Sequence, residues 1–221
     1  MEKKIINALT RCPLFNNISE QHLIDIVEGA NYKLVKFDKK DIYILAGMPY
    51  RHVDLIVEGE MVDRMVSLSG KSVEVSRLVG GDLVAPAFIF AKDNLMPVSV
   101  ETEKETTVLR ISKPDFVELI DINPVLRRNF ITILSNIDVF LTKKMRVLSL
   151  FTVREKVGYF LKEAAGKQGS NVVQLNKSRQ EIAESFGIQK FSLLRTMSEL
   201  QDAGAIRVEG KRITILDRNK L

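Results

Sequence analysis

The stretch Leu175–Leu200, LNKSRQEIAESFGIQKFSLLRTMSEL, reads as two short helices joined by a tight turn. Ser178 followed three residues later by Glu181 is a capping box, which satisfies the first free N–H groups of a helix. Ile182, Ala183 and Phe186 give that helix one apolar face. Gly187 supplies the left-handed residue that ends it, and Gln189 stands where a side chain caps the next helix. Leu193, Leu194, Met197 and Leu200 are the expected buried stripe of the second helix. Its other face carries Lys190, Phe191, Ser192, Arg195 and Glu199. A short helix held by its back, with cationic and hydroxyl side chains on its first turns, suits the major groove of DNA. A plain helical hairpin with a solvated outer face is the competing reading.

The residues after the second helix favour the first reading. Ile206-Arg-Val208, a Glu209-Gly210 turn and Arg212-Ile-Thr-Ile215 predict a β-hairpin, so the unit is winged. RQEIAESFG, then Arg195, then GAIRVEGKRITI resembles the winged helix of Crp/Fnr-type bacterial transcription regulators. The resemblance runs over nearly the whole chain, and it implies Ser178, Arg179, Gln180, Gln189, Lys190, Phe191, Ser192, Arg195 and Lys211 as DNA-facing residues. Within it, Arg195 matches a position that reads a base edge. Ser192 and Gln180 match positions that hold phosphate, and Lys190 an arginine that reads bases or backbone. Phe191 departs from the pattern, because many relatives carry there a glutamate that accepts from cytosine.

Charge is distributed unevenly. The chain of 221 residues has 33 Lys+Arg and 28 Asp+Glu, and residues 149–221 alone hold 13 and 8 of these. The preceding 148 residues are therefore balanced at 20 each, and the whole excess of +5 lies with the helix-turn-helix. Phosphate neutralisation supplies most sequence-independent DNA affinity, so this is the asymmetry a DNA-binding segment needs. A basic segment kept for solubility is the alternative. No apolar run reaches the ~18–20 residues that span a bilayer. The start, MEKKIINALTRC, lacks a signal-peptide apolar core, and a cytoplasmic protein with no membrane partner is expected. Cys12 is the only cysteine, which excludes a disulfide framework and argues against an iron–sulfur cluster.

Upstream, residues 3–28 read as helical around Ile5, Ile6, Leu9, Leu23, Ile26 and Val27, broken at Pro13. From about Tyr32 to Ile111 the apolar period becomes two. Tyr43-Ile-Leu, Val53–Val57, Val73–Val79, Val98-Ser-Val and Thr107–Ile111 alternate with turn signals at Ala46–Pro49, Glu58-Gly59, Ser69-Gly70 and Gly80–Asp82. Many short strands predict a small antiparallel roll, and their order resembles the double-stranded β-helix sensor domain of the same family. From Pro124 the period returns to helical for about seven turns. Leu126, Phe130, Ile133, Ile137, Phe140 and Val147 follow 4-3 steps, with Lys144 interrupting, and Leu134, Leu141, Met145 and Leu148 flank them as a second stripe. A helix lying on its own roll is the competing reading, and two stripes allow both. We expect a dimer interface at Leu126, Phe130, Ile133, Ile137, Phe140, Leu141 and Val147, making a parallel homodimer, as the resemblance also implies. A second capping box, Thr152 with Glu155, makes the chain bend near Leu150-Phe151. The expected organisation is α+β: a β-roll sensor (1–122), a long dimerisation helix (123–149) and a winged helix-turn-helix (150–221).

The resemblance also frames the effector. Cyclic-nucleotide members hold ribose with a glutamate and phosphate with a following arginine. Here Pro86 stands in the glutamate's place, with neither carboxylate nor N–H. No Lys or Arg occurs between Lys92 and Lys104, and a buried phosphate without a cation is costly. Both points argue against cyclic AMP. The expected pocket is apolar: Pro86, Phe88, Phe90, Met96, Pro97 and Val98, closed by Phe130, Ile133, Leu134 and Ile137. Such a lining suits a flat hydrophobic ligand. Haem is one candidate, since the segment also resembles a nitric-oxide-sensing branch of the family, with Met145, His52 and Met61 as candidate iron ligands. Ordinary core packing competes for each methionine.

No enzyme constellation is present: two histidines, one cysteine, no phosphate-cradling loop and no nucleophile elbow. The reading is a homodimeric transcription regulator whose partners are an inverted-repeat duplex and RNA polymerase. An adaptor that uses its winged helix for protein contacts is the alternative.

Overall fold

The computed structural model describes residues 2–66 and 72–221; the expected turn at Ser69-Gly70 lies outside the described residues. The chain divides into two compact units, Met1–Val139 and Phe140–Leu221.

The first unit opens with helix α1 (Lys3–Arg11), a 3-10 turn (Pro13–Phe15) and helix α2 (Glu20–Glu28). Eight strands follow: β1 (Tyr32–Phe37), β2 (Ile42–Ile44), β3 (His52–Glu58), β4 (Glu60–Val66), β5 (Ser72–Val79), β6 (Leu83–Val84), β7 (Ser99–Thr102) and β8 (Thr106–Ser112). They pair antiparallel in two four-stranded sheets, ordered β1-β8-β3-β6 and β2-β7-β4-β5. The chain crosses from one sheet to the other at Gly59, whose φ is +105°. A Cβ there would lie 2.3 Å from Thr106 Oγ1 and 2.6 Å from the Glu105 carbonyl, so only glycine fits. The β3 strand is buried on both faces from Val53 to Val57, which is why it reads as a continuous apolar run. Helix α3 (Lys113–Ile122) then covers the roll. The sequence reading missed it, although Ser112 as its cap, Pro114 in its first turn and Asp115 at the third position are the usual signals.

Helix α4 runs unbroken from Pro124 to Leu150. Its apolar positions do not share one fate. Leu126 and Phe130 are fully buried in the core of the first unit, with Ile133 and Leu134 packed against it. Val147 is also buried. Leu126, Phe130 and Val147 are therefore corrected: side chains already covered by their own chain leave no surface for a twin. Ile137 is half-buried, whereas Phe140, Leu141, Met145 and Leu148 are exposed together with Ile131. The free apolar surface is thus the C-terminal half of the helix, Phe140, Leu141, Met145 and Leu148, drawn from both stripes.

In the second unit, helix α5 (Val153–Gln168) starts on the Thr152–Glu155 capping box and ends at Gly169. Strand β9 (Val172–Gln174), helices α6 (Arg179–Ser185) and α7 (Lys190–Asp202), and the hairpin β10 (Ile206–Glu209) and β11 (Arg212–Ile215) complete it. The wing is a three-stranded sheet, β10-β11-β9. Strand β9 had no sequence expectation; it is short and pairs only through β11. The core is formed by Val157 and Leu161 of α5, Val173, Ile182, Leu193, Met197 and Leu200, and Ile206 and Ile213 of the wing. Burying each large aliphatic side chain contributes roughly 1.5–3 kcal/mol.

Candidate nucleic-acid interface and effector region

The geometry of the helix-turn-helix follows from its caps. Ser178 N donates to Glu181 Oε2 at 2.7 Å, and Glu181 N returns the bond to Ser178 Oγ at 3.2 Å. Gly187, at φ +63°, turns the chain out of α6. Gln189 occupies the cap position of α7, but its side chain makes no capping bond, which corrects that expectation. The α7 stripe is corrected as well: Leu193, Met197 and Leu200 are buried, Thr196 joins them, and Leu194 is 43 % exposed. The 193-196-197-200 pattern keeps strict 3-4 spacing, and Leu194 falls one position off its face.

Held this way, α7 turns its other face outward. Lys190 is exposed, Phe191 is 73 % exposed, Ser192 is half-buried, and the Arg195 side chain is 71 % exposed. Arg195 Nε donates to Glu199 Oε1 at 2.9 Å. Gln180 is exposed on α6 and donates from Nε2 to Glu184 at 2.7 Å. Arg179 is half-buried. Its Nη2 donates to the Gly210 carbonyl at 2.8 Å, tying the first turn of α6 to the wing, and burial pulls its pKa down. Arg179, expected to face DNA, thus also braces the wing. Lys211 follows Gly210 at the wing turn and is exposed, while its carbonyl accepts from Leu175 N at 2.8 Å.

The expected effector segment is only partly a pocket lining. Pro86, Met96 and Val98 are buried, and Phe88 is half-buried against the core. Phe90 and Pro97 face outward and are corrected to surface positions. The Phe90 ring still leans on Phe116 and Phe130, at centroid distances of 6.2 and 5.7 Å, with Lys113 over its open face. The loop is entered through Ala85, whose φ of 45° is left-handed, a conformation an L residue adopts at a cost.

A buried polar cluster lies beside the root of that loop. Asp54 on β3 is completely buried and faces Arg110 on β8 in direct register. Tyr43 Oη donates to Asp54 at 2.6 Å, and Tyr50 Oη donates to the Val84 carbonyl at 2.6 Å, immediately before Ala85. Burial works against the Arg110 charge, but the Asp54 carboxylate outweighs it and raises its pKa. Burial likewise pushes both phenols up, so they remain donors. Sequence reasoning missed all four residues. The available signal was one acid and one base, each set between apolar neighbours, Val53 and Leu55 for Asp54 and Leu109 and Ile111 for Arg110.

The three candidate iron ligands stand apart in character. Met61 on β4 is fully buried in the roll, Met145 on α4 is 63 % exposed, and His52 is half-buried at the start of β3. Burial and then Arg110 lower the His52 pKa. His52 and Met61 lie in different sheets. Among the described residues no group of three or more His, Cys, Asp or Glu converges on a metal site, and no helix is long and apolar enough to cross a membrane.

Comparison with known proteins agrees with this architecture. Residues 34–123 match the cyclic nucleotide-binding domain family, and residues 155–221 match the Crp-like helix-turn-helix domain. The cAMP-activated global transcriptional regulator CRP of Pasteurella multocida is 21% identical over 184 residues, covering 81% of this chain and 88% of that one. The transcriptional activator protein anr of Pseudomonas aeruginosa is 30% identical over 130 residues, covering 57% of this chain and 53% of that one. Among solved structures, a CooA mutant from Carboxydothermus hydrogenoformans superposes with a TM-score of 0.70 at 18% identity, covering 95% of this chain and 93% of that chain. The Thermus thermophilus catabolite activator protein gives 0.57 at 18% identity, over 94% and 95%. With a sensor-type roll and a Crp-like helix-turn-helix found in that order, and relatives matched over four-fifths of its length, the chain belongs to the Crp/Fnr family of DNA-binding transcription regulators.

Proposed function

We propose that the protein acts as a homodimer on an inverted-repeat duplex, with one α7 helix in the major groove of each half-site and the two about 34 Å apart along the DNA. The observation that carries this reading is the outward face of α7, where Arg195 and Phe191 stand exposed on a helix anchored by Leu193, Met197 and Leu200. In this reading Arg195 donates to a guanine edge. Gln180 and Ser192 hold phosphate and set register without reading sequence. The exposed seam of α4 at Leu141, Met145 and Leu148 supports the twin contact. Regulation of promoters implies contact with RNA polymerase.

The effector in this reading is not a cyclic nucleotide. Pro86 offers no carboxylate for a ribose, and the segment from Asp93 to Glu103 carries no cation for its phosphate. An apolar ligand beside the Pro86–Phe88 turn is the reading this supports. Selecting bound sequences from a random duplex pool tests the proposal. Enrichment of a palindrome with guanine at one symmetric position supports it, and a pool that stays random contradicts it. Titrating the roll with cyclic AMP and with haem separates the effector classes, the first expected to give no stabilisation.

A further inference from the structure

The DNA-facing arginine does not project freely. Arg195 Nε is held by Glu199 Oε1 at 2.9 Å, one helical turn towards the C-terminus. The same arrangement recurs on α6, where Gln180 Nε2 is held by Glu184 Oε1 at 2.7 Å. Two polar side chains of the outward surface, one on each helix, are thus tethered by an acid at i+4. Exposed pairs of this kind add little to folding stability, so holding the helix together is a weak reason for them.

Two physical effects bear on a groove-reading helix. A guanidinium bonded through Nε keeps its two terminal nitrogens on the far side, where they form the planar fork that meets guanine O6 and N7. Without the tether, a long flexible cation distributes itself between base edges and nearby phosphates, and phosphate contacts are blind to sequence. The acid also repels the DNA backbone, which costs every sequence alike. A held fork loses less side-chain entropy on binding, so the correct site recovers part of that cost.

We propose that Glu199 is a positioning and specificity-determining residue: it aims Arg195 at the base edge and suppresses sequence-independent binding. This rests on the reading of Arg195 as the base-reading residue, and the experiment separates the two. In the full-length protein, Glu199→Gln keeps an acceptor for Nε but removes the charge, whereas Glu199→Ala removes both. Affinity for random duplex is expected to rise in both variants, by roughly two- to fivefold at low salt. Preference for guanine at the Arg195 position is expected to fall roughly three- to tenfold in Glu199→Ala and to persist in Glu199→Gln. A wild-type preference profile in Glu199→Ala, with Arg195→Ala flattening the profile, overturns the role of Glu199 and leaves that of Arg195 standing. An unchanged profile in Arg195→Ala removes both. Loss of guanine preference in Glu199→Gln equal to that in Glu199→Ala overturns the positioning hydrogen bond.

Discussion

Arg110 donates from Nε to both oxygens of Asp54 at 3.0 Å and from Nη2 to Oδ2 at 2.6 Å, across two strands in direct register. The carboxylate is completely buried and the Arg110 side chain is a quarter exposed. Asp54→Ala leaves a guanidinium in the roll without its anion. We expect a loss of about 3 kcal/mol, at the lower end for breaking a buried pair because water reaches part of Arg110. Urea unfolding measures it as a lower midpoint at unchanged slope. Replacing both residues with apolar side chains of similar volume is expected to cost less than Asp54→Ala alone. A double variant worse than the single one contradicts the pairing.

The left-handed backbone of Ala85 gives a prediction of opposite sign. Glycine reaches φ 45° without a Cβ clash, while adding some freedom to the unfolded chain. The clash is the larger of the two, so Ala85→Gly is expected to stabilise the roll by about 0.5 kcal/mol. The same unfolding curves detect it. A loss of stability shows that the methyl group packs well enough to outweigh its strain.

Cys12 is completely buried between α1 and the following 3-10 turn, and burial pushes its thiol up from 9.0 to about 12, with the Leu14 N–H pulling weakly the other way. A raised folded-state pKa means that the unfolded chain loses the proton first. The stability that the neutral thiol contributes is therefore complete below pH 9 and lost progressively as pH rises towards about 12. The accessible test is alkylation at pH 8. Cys12 should react with iodoacetamide only as fast as the first unit opens, and at full rate in denaturant. Rapid modification of the folded protein contradicts this.

Helix α4 shows where sequence reading stops. Both of its apolar stripes are legible in the 4-3 spacing, but spacing cannot say which of them the rest of the chain covers. Leu126 and Phe130 go to the core of the first unit, and Leu141, Met145 and Leu148 are left in solvent. Leu141→Lys should therefore keep the fold and lose self-association, read by sedimentation, whereas Leu126→Lys should unfold the roll. A dimer that survives Leu141→Lys moves the twin contact off this seam.

The two capping boxes, Gly187 and the wing hairpin were readable because each is a local signal of a few residues. The bracing role of Arg179 was not legible for a physical reason. Its role depends on the Gly210 carbonyl, 31 residues away, which only folding brings within reach. The Asp54–Arg110 pair was overlooked similarly, since a charge inside an apolar strand acquires meaning only once strand register is known. Site residues fixed by one helix are legible, and those fixed by long-range pairing are not.

Phe191 offers a change of specificity rather than a loss. It is 73 % exposed in the first turn of α7, where it adds apolar surface but no hydrogen-bonding group. A phenyl ring meets a thymine methyl group and rejects nothing strongly, whereas a carboxylate there accepts from cytosine N4. Phe191→Glu is therefore expected to introduce cytosine preference at one position of each half-site, by roughly fivefold or more. The added negative charge should at the same time weaken binding to random duplex. The fold is not at risk, because the side chain is in solvent and glutamate is a good helix former. Repeating the random-pool selection with the variant reads both effects. If the selected profile of Phe191→Glu matches the wild type, position 191 does not face the bases, and the docking of α7 must be rotated about its own axis.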